Sequence, residues 1–133
     1  MKKIVISGSS SLQDSIKYWV RYFTDINYEI LDYPKLIKKD EYIEKLPIIY
    51  KDFYESLEKT DIFFLMNEEK NGIKGYIGAS AIAELTYVIM LNLIHNKNID
   101  IYILNMPSKD VSSYDEVKFW FDIGWIKIYN KEE

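Results

Sequence analysis

Short apolar runs alternate along this chain with longer stretches in which apolar residues recur every three or four positions. Lys3 to Ser7 (KIVIS) is β-branched and apolar and ends in a cluster of small residues, Ser7-Gly8-Ser9-Ser10-Ser11. That is the pattern of a buried strand and the loop at its carboxyl end. Leu12 to Ile26 carries Leu12, Ile16, Trp19, Val20 and Phe23 at helical spacing, which predicts an amphipathic helix. Tyr28 to Leu31 predicts a second short strand, closed by Asp32, Tyr33 and Pro34. Asp40 is a suitable N-cap for a helix striped by Ile43, Leu46, Ile49, Phe53 and Leu57. Pro47 inside that stripe predicts a kink or two abutting helices. Ile62 to Met66 is the clearest buried strand, followed by a polar, glycine-bearing loop from Asn67 to Gly78 and an apolar helix from Ala79 to His95. Ile99 to Leu104 predicts a fourth strand, ending at Asn105-Met106-Pro107. Ser113 is expected to cap a short helix through Phe121, and Trp125 to Tyr129 to form a last strand at an edge.

Strands alternating with helices at this spacing predict an α/β fold, a parallel sheet with helices on both faces. Five strands suggest the flavodoxin-like doubly wound order 2-1-3-4-5. No linker or repeat divides residues 1–133, so one domain is expected. Sheets of this kind bind ligands outside the carboxyl ends of the strands, near the switch point between strands 1 and 3. Those ends carry the Ser7–Ser11 loop, the Asn67–Gly78 loop and Asn105.

Composition narrows the chemistry. A net charge of −4 and a pI near 5.1 argue against a surface for nucleic-acid polymers or anionic membranes. There is no cysteine and one histidine, His95, so thiolate sites are excluded and neither a metal nor a cofactor is expected. His95 falls near a helix C-terminus, where the last carbonyls and the dipole give it a structural role. The apolar run Ile4-Val5-Ile6 is too short for a signal peptide or membrane span, and a cytoplasmic protein is expected.

One acid stands out. Glu84 lies in the second turn of the Ala79–His95 helix, and its neighbours at three and four residues, Ser80, Ala81, Tyr87 and Val88, include no cation. Burying an unpaired charge costs several kcal/mol, on the order of 3–5, so this carboxylate needs a partner or a task. The helix dipole favours its ionised form, which suits a nucleophile at an anomeric carbon. A hydrogen bond to a neighbouring loop or subunit would serve equally. The serine cluster after strand 1 either holds a phosphate or simply caps the helix that follows. Tyr76 either stacks on a base or anchors its loop. Asp61, at the start of strand 3, is better placed for a turn than for catalysis. Neither the P-loop nor the dinucleotide-binding glycine fingerprint is present.

The stretch Asp61 to Tyr87, DIFFLMNEEKNGIKGYIGASAIAELTY, resembles the nucleoside 2-deoxyribosyltransferase-like family. The matching features are a strand, an Asn, a short polar loop, Tyr-Ile-Gly, and a helical Glu eight residues after the Tyr, here Tyr76 and Glu84. The serine-rich turn after strand 1 and Asn105-Met106-Pro107 fit the same plan, and the similarity runs from about Lys2 to Pro107. It implies a double displacement in which Glu84 attacks C1′ of a deoxynucleoside and a second base, or water, takes the deoxyribosyl group. It also implies a homodimer or higher homo-oligomer, a small-molecule nucleoside or nucleotide substrate, and binding roles for Gly8, Ser9, Ser10, Asp52, Asn67, Tyr76, Gly78, Ser80 and Asn105. The transferases place an Asp six residues before the nucleophile, where this chain has Gly78. Asp52, Asn67 and Glu68 are therefore the candidates to protonate the departing base. Related enzymes hydrolyse deoxynucleoside 5′-monophosphates and hold the phosphate with a Gly-Ser turn, for which Gly8, Ser9 and Ser10 are suited. The alternatives are a non-catalytic nucleotide- or FMN-binding module and an enzyme cleaving a different N-riboside, such as a dinucleotide.

Overall fold

The computed structural model describes residues 1–131; Glu132 and Glu133, the end of the expected domain, lie outside the described residues. Five strands, β1 (Lys3–Ser7), β2 (Glu29–Asp32), β3 (Ile62–Leu65), β4 (Asp100–Ile103) and β5 (Lys127–Ile128), form one parallel sheet in the order β2-β1-β3-β4-β5. This is the doubly wound order expected from the sequence. β1 and β3 pair in register from Ile4 with Ile62 to Ser7 with Leu65, at the centre of the sheet.

Both sheet faces are covered, which is why β3 is apolar at every position and β1 from Ile4 to Ile6, rather than alternating. On one face, α1 (Gln13–Asp25) buries Ile16, Trp19 and Phe23 against Ile4, Ile6, Phe64 and Met66. On the other, α2 (Tyr42–Leu57), α3 (Ala79–His95) and α4 (Tyr114–Ile123) bury Phe53, Leu57, Leu85, Val88 and Val117 against Val5, Phe63, Leu65 and Ile103. Each fully buried Leu or Phe contributes roughly 1.5–3 kcal/mol, so these two apolar layers fix the strand ends that carry the loops.

Two expected caps are not made, and Pro47 does not divide its helix in two. Asp40 does not cap α2; it sits inside a 3₁₀ turn, Lys39–Glu41, and Glu41 is the residue before the helix. α2 runs unbroken through Pro47, whose ring and the Ile43 carbonyl it frees lie on an exposed stretch where water can serve that carbonyl. Ser113 does precede α4, but its side chain makes no capping bond. Asp61 accepts the Lys3 N–H at 2.9 Å, a tie between the first residue of β1 and the residue before β3, at the end of the sheet away from the crevice.

Candidate functional site

The sheet order puts the β1 turn, the chain after β2 and the start of α3 around one space. A cavity of about 310 Å³ opens there, within the size range of small-molecule sites. Gly8, Ser9 and Ser10 line it from the β1 turn, Tyr33, Pro34 and Lys35 from beyond β2, and Tyr50 and Phe53 from α2. Gly78, Ala79, Ser80, Ala81 and Glu84 line it from α3, and Lys70 and Tyr76 from the loop before that helix.

Local geometry explains each placement. Gly8 has φ +152°, a conformation that strains any side chain, and a Cβ there would lie 3.1 Å from the Met66 carbonyl oxygen. The turn can therefore pass tightly over β3. Asn71 and Gly72 both have positive φ, at 53° and 78°, and Lys70 and Ile73 exchange two backbone hydrogen bonds across them. That is a two-residue hairpin, the arrangement Asn-Gly favours. It carries Lys70 over the β1 turn, where its Nζ donates to Ser9 Oγ at 2.8 Å and lies 5.0 Å from the Tyr76 ring centroid. Gly78 is the N-cap of α3 in an extended conformation, so the first N–H groups of the helix open toward the cavity.

Glu84 is the cavity's one carboxylate among the described lining residues. Ser7 Oγ, itself fully buried, donates to Glu84 Oε1 at 2.6 Å. Oε2 makes no hydrogen bond among the described residues. Burial raises the Glu84 pKa, the Ser7 bond lowers it, and the charge of Asp32 raises it again, leaving it near pH 7, at about 7. Asp32 in turn accepts from Lys35 Nζ and from the Tyr33 N–H, both at 2.8 Å. Tyr54 faces Glu84 from α2, and burial together with that charge raises its phenol. Tyr50 OH lies 3.4 Å from Ser80 Oγ across the cavity.

Of the residues singled out in the sequence, Gly8, Ser9, Ser10, Tyr76, Gly78, Ser80 and Glu84 meet at this cavity. Asp52, Asn67 and Asn105 do not. Asp52 is on the exposed side of α2, because the stripe ending in Phe53 turns it outward. Asn67 is 1% exposed, and its amide is consumed by backbone. It donates to the Asn105 carbonyl at 2.6 Å and accepts the Leu104 and Asn105 N–H groups at 2.9 and 3.0 Å. Asn105 Nδ2 donates back to the Asn67 carbonyl at 3.1 Å. The two asparagines join the ends of β3 and β4. Glu68, the third candidate acid, also stands outside the cavity lining. Lys35, Tyr50 and Lys70 also line the cavity with no motif that marked them, and Ser7, expected only as part of the serine cluster, holds Glu84; for Lys70 the signal was present in the Asn-Gly pair that follows it.

The fold and cavity together define a flavodoxin-like α/β protein with a crevice at the strand carboxyl ends. Among solved structures, the chain is similar to the Clostridium botulinum CMP N-glycosidase BcmB, with a TM-score of 0.57 and 10% sequence identity. The similarity covers 96% of this chain and 90% of that one, and at this identity it shows the shared fold. No protein-family model matches the chain. No curated protein matches it by sequence. Among the described residues, no helix is long and apolar enough to cross a membrane.

Proposed function

We propose that the protein breaks the N-glycosidic bond of a nucleoside-type 5′-monophosphate, ribosyl or 2-deoxyribosyl, with Glu84 as the nucleophile at C1′. The observation that carries this reading is a carboxylate with one oxygen held by Ser7 and the other unbonded, in the wall of a cavity at the crevice of the sheet. Near pH 7 a group with a pKa of about 7 is about half ionised, so the nucleophilic form is available, and its basicity is higher than that of an ordinary carboxylate. Glu84 Oε2 forms the bond to C1′ as the C1′–N bond breaks. A water or second base then displaces the carboxylate from the glycosyl ester.

Lys70 and the hydroxyls of Ser9 and Ser10 form a polar, cationic end of the cavity, suited to the phosphate. The structural neighbour is a CMP N-glycosidase, and its nucleoside monophosphate agrees with that assignment. Leu36, Ile43, Ile48 and Tyr50 expose apolar surface on the stretch of chain that also supplies Ile37, Leu46 and Ile49 to the cavity, which supports the reading as a homo-oligomer.

The test is incubation of the full chain with ribo- and deoxyribonucleoside monophosphates, with and without a free acceptor base, followed by chromatography. Release or exchange of the base, abolished in Glu84→Gln, is expected. Thermal stabilisation by a monophosphate with no turnover would instead assign a binding module.

A further inference from the structure

The cavity holds a nucleophile without a matching acid. When a nucleobase leaves as an anion or near-anion, a general acid contributes typically about 10²–10⁴-fold to the rate, and it does so best with a pKa near the working pH. Among the described residues lining the cavity, the acidic side chain is Glu84 alone, and it is committed to attack. Asp32, close enough to raise the Glu84 pKa, is held as an acceptor by Lys35 and the Tyr33 N–H. The other proton-bearing groups at the wall are the phenols of Tyr33, Tyr50 and Tyr76, the ammonium groups of Lys35 and Lys70, and serine hydroxyls, none of them a carboxylic acid. Asp52 and Glu68 lie outside the cavity, and Gly78, the N-cap of α3 in its wall, carries no side chain.

We propose that the substrate is a pyridinium N-riboside 5′-monophosphate, whose leaving group needs no proton. The proposal rests on the N-glycosidic reading above and names its substrate class. In such a compound the ring nitrogen bonded to C1′ already carries a formal positive charge. The C1′–N bond breaks with its electron pair passing to that nitrogen, and the pyridine departs neutral. Glu84 Oε2 bonds to C1′ in the same displacement. Water then adds at C1′ and the C1′–Oε2 bond breaks, giving ribose 5-phosphate, a proton and the free carboxylate. The balance is substrate plus water to pyridine, sugar phosphate and one proton.

The rest of the wall suits that cation. The carboxylate attracts the positive ring, and Tyr50 and Phe53 line the same space with aromatic surface, which favours cationic ligands. Lys70 and Ser9 remain for the phosphate at the opposite charge.

The experiment compares nicotinamide mononucleotide, CMP and dCMP at equal concentration with the full-length protein, following nicotinamide and cytosine by chromatography. Nicotinamide is expected to appear at least about tenfold faster than cytosine, a difference of one decade in the barrier factor. Its rate should rise as Glu84 ionises through a pH of about 7 and then stay level, with no fall on the basic side for loss of an acid. Cleavage of CMP or dCMP as fast as nicotinamide mononucleotide would overturn this substrate class while leaving the N-glycosidic reading intact. No cleavage of any of the three would overturn both. Gly78→Asp supplies a second arm. The Gly78 backbone accepts a side chain, a Cβ there meets only the Tyr76 ring at 3.4 Å or more, and φ is not positive. An acid restored at that point should narrow the nicotinamide-to-cytosine ratio, and a ratio that stays put or widens counts against the proposal.

Discussion

Ser7 and Glu84, 77 residues apart in sequence, meet in a 2.6 Å hydrogen bond that joins the last residue of β1 to the second turn of α3. The bond acts against burial: it lowers the pKa of a carboxylate that desolvation raises. A hydrogen bond to a charged group contributes about 1.5–3 kcal/mol, and each pKa unit corresponds to about 1.4 kcal/mol. Ser7→Ala should therefore move the Glu84 titration upward, by about one unit or more, and with it the acid limb of any activity. A carboxyl-resolved NMR titration reads this without a substrate. A Glu84 resonance that titrates unchanged in Ser7→Ala would show that the bond does not set the ionisation.

Glu84 should also destabilise the fold at neutral and higher pH. Its pKa is raised from an ordinary 4.5 to about 7, so between those values the folded chain binds more protons than the unfolded chain. Stability contributed by this group is then full below about 4.5, falls as the pH rises, and is lost above about 7. Glu84→Gln keeps an acceptor for Ser7 and removes the charge. At pH 8 it should be more stable than the native chain by roughly 1–3 kcal/mol, with little difference at pH 4. Activity should fall by at least about a thousandfold, as for other lost nucleophiles. Urea titrations of both proteins at the two pH values check the first statement; equal pH dependence would refute it.

On the proposed reading, Lys70 meets the phosphate rather than the sugar or base. Its Nζ already points at Ser9 Oγ, so an incoming phosphate gains a cation without rearranging the hairpin. Lys70→Met should raise KM for a monophosphate by about 10–100-fold, the size of one charge-assisted hydrogen bond, with little effect on the matching nucleoside. The native chain should weaken for the monophosphate as salt is added, and the variant much less. Equal losses on nucleotide and nucleoside would place Lys70 in loop structure instead.

Much of the fold was legible because its signals are local. The apolar run of β1 and the helix Ala79–His95 were read to the residue, and the strand order followed from the alternation of elements. What was not legible lies where a distant contact decides. Nothing near Asn67 in sequence announces that β4 will supply two N–H groups and a carbonyl to its amide, so a polar residue at a strand end looked like a ligand contact. Ser7 is the end of a strand as expected, but its bond to Glu84 was not legible because that partner is on a helix that comes much later. The 3₁₀ turn before α2 displaced the expected cap, since Glu41 bonds back to the Lys38 N–H at 3.2 Å and draws the chain into the helix one residue later. Glu84 was legible because a lone acid on an apolar helix is itself a local contradiction.

Asn67 offers a prediction that divides a binding role from a structural one. Its side chain satisfies the Leu104 and Asn105 N–H groups and the Asn105 carbonyl, and its Nδ2 also reaches the Gly75 carbonyl at 3.4 Å. Gly75 is itself pressed against β4's exit: a Cβ there would lie 2.7 Å from the Met106 carbonyl oxygen and from Pro107 Cα. The loop bearing Lys70 and Tyr76 is thus anchored to the end of β4 through one buried amide. Asn67→Ala leaves the Asn105 N–H and carbonyl without their partner, while the Leu104 N–H keeps its bond to the Leu65 carbonyl at 3.0 Å; at about 1–3 kcal/mol for each group that water cannot reach, a loss on the order of 2–4 kcal/mol in urea unfolding is expected. Asn67→Asp keeps the acceptor for both N–H groups and loses the donor, and should fall between the two. Because Asn67 does not line the cavity, KM measured on the folded fraction of Asn67→Asp should stay within about threefold of the native value, under 1 kcal/mol. A KM raised tenfold or more with stability intact would return Asn67 to the substrate.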